Sequence, residues 1–378
     1  MSKVLAILIT LACMFSLLST ATAQPYDRSL GIRVGSANGL SYQQFLGRSN
    51  TGFETLFVYR RGGARVIAMA TQHIPIGGRS SDTYFYFGLG GHVGMNGFFF
   101  EEKYNFKKCL LTTSCTDALE MASILMNIQS GDEIIMPSYT FVSTANAFVL
   151  RGAKIIFTDS YEENPNIDPA QIERLITKKT KAIVVVHYAG VACDMDLIMD
   201  IANSYNLFVV EDAAQAIDSF YKGKPLGGIG HFGTFSFHET KNIISGEGGM
   251  LVINDERYIE RAEIIWEKGT NRSAFFRGEV DKYGWVDVGS SFLPSEIISA
   301  FLFSQLENLD KIQTKRKKLW ESYHSLLSNL PKNIKLAKIP DYATNNAHMF
   351  YLLCENIEQR TKLIKSIRNT NVKCSRRA

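Results

Sequence analysis

Four short apolar runs, at residues 133–136, 154–158, 182–187 and 207–210, alternate with stretches of helical periodicity. Runs without polar alternation are strands buried on both faces, and strands separated by helices pair in parallel. The middle of the chain is therefore held to an α/β sheet covered by helices. Open sheets of this kind bind ligands beyond the carboxyl ends of their strands. Asp212 follows the run 207–210, and a further strand pattern at 233–237 leads to Lys241, so both side chains are expected at that edge.

An amine that forms a Schiff base needs an aldehyde partner, and pyridoxal acts as an electron sink only when a carboxylate keeps its ring nitrogen protonated. Lys241 and Asp212 in this order suggest pyridoxal phosphate. Each has an ordinary alternative, since most lysines are solvated surface charges and an Asp after a strand is often a helix cap. A third element lowers the weight of those alternatives. Residues 109–112 read as a strand and residues 117–122 as the start of an amphipathic helix, with Thr113, Ser114, Cys115 and Thr116 between them. Small hydroxyl residues at such a turn leave backbone N–H groups aimed at an anion, and the helix dipole adds to the attraction. Asp117 and Glu120 also fit a capping box, which is compatible with a phosphate site.

Seven strings carry a resemblance. They are LTTSCTDALEM at 111–121, MPSYTFVSTANAFVLRG at 136–152, HYAGVAC at 187–193, VEDAAQ at 210–215, SFHETKN at 236–242, KGTNRS at 268–273 and NAHMFY at 346–351. In this order they resemble the DegT/DnrJ/EryC1/StrS sugar aminotransferases, and within them the branch acting on dTDP-4-keto-6-deoxyhexoses. The resemblance implies a fold-type I pyridoxal-phosphate transferase domain over residues 96–330, with a mixed, mostly parallel seven-stranded sheet flanked by helices. It implies that Lys241 attaches the cofactor and then shuttles a proton, that Asp212 pairs with the ring nitrogen, and that Gln215 bonds the ring's phenolic oxygen. Phe141 stacks on the ring in this scheme, with core packing as the alternative for a phenylalanine. Ser114, Cys115, Thr116 and Ser236 take the phosphate. The implied partners are glutamate, a nucleotide sugar and a second copy of the chain, whose site residues 268–273 and 290–292 complete. Many family members have Gly where Cys115 stands and Asn near Ser291, and the 4-keto-sugar branch shares both departures.

Other motifs carry less. Gly246, Glu247, Gly248 and Gly249 belong to the turn after the lysine, where glycine allows close backbone approach or positive φ. Neither they nor Gly227, Gly228 and Gly230 match a nucleotide-binding fingerprint, and His238-Glu239 lacks the second histidine of a zinc helix. No metal site is implied. The six cysteines show no CxxC spacing and read as reduced thiols. A net charge of +4 over 378 residues implies neither nucleic acid nor an acidic membrane as partner.

The ends of the chain disagree with a cytoplasmic enzyme. Residues 1–23 show a secretory signal pattern, with Lys3, an apolar stretch and Ala21-Thr22-Ala23. Residues 24–95 alternate with period two between glycines, and 29–35, 54–60, 64–70 and 83–88 read as strands of an exported β protein. The two patterns join near 91–100, where a helix at 100–106 is expected. Residues 331–378 read as an incomplete C-terminal domain ending in a basic tail, an arrangement expected to impair cofactor binding. An inactive remnant of the enzyme fold and an exported envelope protein stand as alternatives.

Overall fold

The computed structural model describes residues 28–33, 38–45, 51–60, 63–75, 84–92, 96–331 and 333–369. The signal pattern at 1–23 and the tail at 371–378 lie outside the described residues. The chain divides into two compact units, Met1–Val93 and Gly94–Ala378.

The first unit is an antiparallel meander of β1 (Arg28–Arg33), β2 (Asn38–Phe45), β3 (Thr51–Arg60), β4 (Gly63–Pro75) and β5 (Tyr84–His92), each paired with the next. It has one strand more than the four expected. The additional strand is β2, which pairs with β1 and β3 on its two sides.

The second unit opens with α1 (Asn96–Tyr104). The helix expected at 100–106 thus begins and ends earlier, because Asn105 adopts a positive φ of 55°, the left-handed conformation that stops a helix. There follow β6 (Lys108–Thr112), α2 (Cys115–Leu125), β7 (Glu133–Pro137), α3 (Val142–Val149), β8 (Lys154–Thr158), β9 (Thr180–Val186), α4 (Met195–Tyr205) and β10 (Phe208–Asp212). A small hairpin of β11 (Phe220–Tyr221) and β12 (Lys224–Pro225) precedes β13 (Phe232–Ser236) and β14 (Gly249–Ile253). The rest is α5 (Ile259–Trp266), α6 (Arg272–Phe276), α7 (Glu296–Leu306), α8 (Leu309–Leu326), the β15 (Ile334–Leu336) and β16 (Leu352–Cys354) pair, and α9 (Ile357–Arg368).

Seven strands form one sheet in the order β6-β14-β13-β10-β9-β7-β8. Only β14 is antiparallel to its neighbours, which gives the mixed, mostly parallel sheet expected of fold-type I transferases. Because side chains alternate along a strand, the sheet feeds two cores. Ile183, Val185, Val209 and Val252 join Met195 and Ile198 of α4 in one. Val184, Val210, Leu251 and Ile253 join Leu119 and Met121 of α2 and Phe148 of α3 in the other. Burial on both faces is why these strands read as unbroken apolar runs. Among the described residues, no helix is long and apolar enough to cross a membrane.

Candidate active site

A cavity of about 750 Å³ lies where the parallel strands end. Ser114 after β6, Ser138 to Phe141 after β7, Val186 closing β9, Asp212 closing β10 and Ser236 closing β13 all line it. The structure brings together all eight residues singled out in the sequence, namely Ser114, Cys115, Thr116, Phe141, Asp212, Gln215, Ser236 and Lys241.

One end of the cavity is built for an anion. Ser114 caps α2, its hydroxyl accepting from Asp117 N at 3.1 Å. The cap is therefore Ser114, not Asp117 with Glu120, because the helix starts two residues earlier than its apolar pattern shows; the Asp117 carboxylate accepts from the hydroxyls of Ser114 and Thr113. The early start puts Cys115 and Thr116 in the first turn, where amides have no carbonyl one turn back to bond. Gly249 of β14 packs against the backbone of this turn. A Cβ there would stand 2.3 Å from Ser114 C and 2.4 Å from Cys115 N, so only glycine lets β14 pass the turn. Ser236 pairs with Gly249 in the ladder and shares this end. Burial, and after it the Asp212 carboxylate, push the Cys115 thiol well above its ordinary range. That shift favours the thiol over the nucleophilic thiolate.

Asp212 lines the same cavity. It is buried, and its carboxylate accepts from Thr144 Oγ1 at 2.7 Å and from Ala214 N at 3.1 Å. Thr144 in turn shares a hydroxyl contact of 2.7 Å with Thr140. Neither threonine was singled out in the sequence; Thr144, inside an apolar helix, gives no signal until the strand end it meets is known. The neighbouring Glu211 points to the other face. Its fully buried carboxylate accepts from Gly227, Ile229 and Gly230 N–H groups at 2.6 to 2.8 Å and meets His187 Nε2 at 2.9 Å. His187 Nδ1 accepts from Cys193 N, which makes Nε2–H the donor to Glu211.

Phe141 caps α3 and is 72% exposed. Core packing is thus excluded, and its ring is free to cover a planar ligand. Gln215 Oε1 accepts from Ala189 N at 2.6 Å, which fixes that side chain against the loop after β9. Tyr188 and Tyr139, with ring centroids 5.1 Å apart, wall the cavity nearby. Lys241 lies on the cavity wall in a tight turn, its N–H donating to His238 O at 2.9 Å. Residues 268–273 and Ser291 do not line the cavity. Among the described residues no cluster of three or more histidine, cysteine or acidic side chains is arranged to hold a metal.

Residues 99–376 match the DegT/DnrJ/EryC1/StrS aminotransferase family. The chain belongs to this family. It is 34% identical to GDP-perosamine synthase of Escherichia coli O157:H7, over 70% of each protein. It is 33% identical to UDP-4-amino-4-deoxy-L-arabinose--oxoglutarate aminotransferase of Shewanella sediminis (strain HAW-EB3), over 69% of this chain and 68% of that one. The crystal structure of the aminotransferase from Psychrobacter cryohalolentis superposes with a TM-score of 0.69 and 29% identity, covering 73% of this chain and 74% of that one. The cofactor of these aminotransferases is pyridoxal phosphate. The cavity fits it, since the helix-start turn of Ser114, Cys115 and Thr116, the buried carboxylate of Asp212, the exposed ring of Phe141 and the primary amine of Lys241 all line it.

Proposed function

We propose that the chain transfers an amino group from glutamate to C4 of a nucleotide-linked 4-keto-6-deoxyhexose, with dTDP as the nucleotide. The observation that carries the reading is the convergence of Lys241, Asp212 and the Ser114 to Thr116 turn on one cavity at the carboxyl edge of the sheet. Relatives named for GDP and UDP amino sugars support the sugar class. The branch-like Cys115 and Ser291 favour dTDP.

The amides of Cys115 and Thr116, with the hydroxyls of Ser114 and Ser236, hold the cofactor's phosphate, and Phe141 covers its ring. When bound, the cofactor supplies a carbonyl for the donor's amine and an electron sink for the carbanion that follows. Asp212 keeps the ring nitrogen protonated. Thr144 and Ala214 orient its carboxylate, so no reorganisation is needed as charge develops. Gln215 bonds the phenolic oxygen. Lys241 would hold the cofactor through its amine and, once free, would move a proton to and from the substrate carbon.

A second copy completes the site in this proposal. Trp285 is 81% exposed and Phe276 71% exposed, next to residues 268–273, and an apolar face of this kind supports an interface.

The test is to supply glutamate with dTDP-, GDP- or UDP-linked 4-keto sugars and follow 2-oxoglutarate. Fastest turnover with the dTDP sugar is expected; faster turnover with GDP or UDP reassigns the nucleotide, and no turnover with any of them removes the sugar assignment.

A further inference from the structure

The string at 346–351 has no part in the chemistry above, yet its side chains reach the back of the lysine turn. Asn242, next in sequence to Lys241, is buried and uses all its amide hydrogens, donating to Asn346 O at 2.9 Å and Gln313 Oε1 at 3.0 Å. Its Oδ1 meets His348 Nδ1 at 2.8 Å. An amide oxygen only accepts, so Nδ1–H of His348 is the donor.

The same segment also holds the opposite wall. Asn346 is wholly buried and donates to Gln215 O and Ile217 O, both at 2.8 Å, while its Oδ1 accepts from His348 N at 3.0 Å. Gly190, with a φ of 78°, lies so close to Asn346 that a Cβ would stand 2.0 Å from Oδ1. From the outer side, Arg316 of α8 anchors the segment by donating to Ala347 O at 3.2 Å and His348 O at 2.8 Å. One buried polar strap thus ties the residue after Lys241 to the backbone of Gln215.

We propose that Asn242, Asn346 and His348 are positioning residues that set where Lys241 stands relative to the cofactor ring. The inference rests on the reading of Lys241 as the attachment residue. None of the three lines the cavity, so their effect passes through the Lys241 turn. Loss of a buried partner leaves the remaining amide groups unpaired, and they recover their bonds by moving the turn. Small displacements of a reacting group cost up to about 10²-fold in rate.

The test compares His348→Ala with His348→Asn in the full chain. An asparagine Nδ2 occupies nearly the place of His Nδ1 and can still donate to Asn242. Glutamate half-reaction rates, KM for glutamate, cofactor affinity and borohydride attachment at Lys241 are measured, with circular dichroism as the check on folding. His348→Ala is expected to slow the half-reaction at least about tenfold, within the range for a displaced group, with KM and cofactor affinity nearly unchanged. His348→Asn is expected to recover most of the rate. An unaltered rate in His348→Ala, with Lys241 labelled normally, overturns this inference alone. A loss that His348→Asn does not recover, or that follows only unfolding, also overturns it. Labelling of a different lysine in the unaltered chain overturns the site reading along with it.

Discussion

Glu211 and Asp212 are consecutive carboxylates of β10 that serve opposite faces of the sheet, Glu211 gripping the loop before β13 and Asp212 reaching the cavity. Strand alternation separates two groups that chemistry would treat alike. Glu211 meets four donors, three of them backbone amides. Asp212 meets one hydroxyl and one amide, which leaves acceptor capacity for a ligand.

Substituting the two should therefore give different losses. Glu211→Gln turns an amide NH2 toward backbone N–H groups and is expected to destabilise the protein by about 3–5 kcal/mol, the usual cost of breaking a buried charged network. Asp212→Asn should leave urea unfolding nearly unchanged but lower turnover by about 10²–10³, as for loss of one electrostatic stabiliser. A near-normal glutamate half-reaction in Asp212→Asn would sink the role given to that carboxylate.

Lys241→Ala should abolish borohydride-stable cofactor attachment and all amino transfer while the fold persists, since this side chain lies on a cavity wall and not in either core. Peptide mapping of the reduced, unaltered protein decides the matter. Label found on Lys222 or Lys224 would show the wrong lysine had been chosen.

Gly249→Ala sets a methyl group against the backbone of Ser114 and Cys115. Overpacking of this kind costs about 1–3 kcal/mol, and here the strain falls on the anion end. Pyridoxal phosphate affinity should drop more than affinity for dephosphorylated pyridoxal, a comparison made by fluorescence titration. Equal loss for both ligands would mean that the turn does not hold the phosphate.

Cys115 should resist alkylation. Burial and the nearby Asp212 carboxylate raise its pKa, which favours the thiol over the thiolate, the reactive form. Its reaction with iodoacetamide should stay slow through about pH 8, where an ordinary free cysteine is already reactive, and should rise only at much higher pH. Mass spectrometry after timed alkylation across pH tests the sign; modification of Cys115 at the rate of a free thiol contradicts it.

The sheet was legible because its central strands are buried on both faces, and 133–136 and 207–210 have no other stable use for such apolar runs; the run at 154–158 is instead the edge strand β8, where Phe157 is exposed. Asp212 was legible for the same reason, standing where a buried strand ends in a charge. The Asn346 contacts were not, since they join residues more than a hundred positions apart and no local pattern encodes them. The start of α2 was misplaced because Ser114, Cys115 and Thr116 carry no helical periodicity; the cap geometry, not the apolar stripe, sets the first turn. The meander's second strand escaped notice because residues 38–45, NGLSYQQF, hold few apolar positions and show no sustained period-two pattern.

The reversal of β14 bears on when the enzyme can first hold its cofactor. Because this strand runs against its neighbours, its first residue, Gly249, meets the turn that follows β6. A chain leaving the ribosome can lay down β6 and most of the parallel strands while the turn after β6 still lacks the strand that packs against it. Contacts so distant in sequence are slow to form and late to close. Cofactor capture therefore reports a finished sheet, and a nascent chain that stops short of Ile253 is expected to shed pyridoxal phosphate however well its earlier strands have paired.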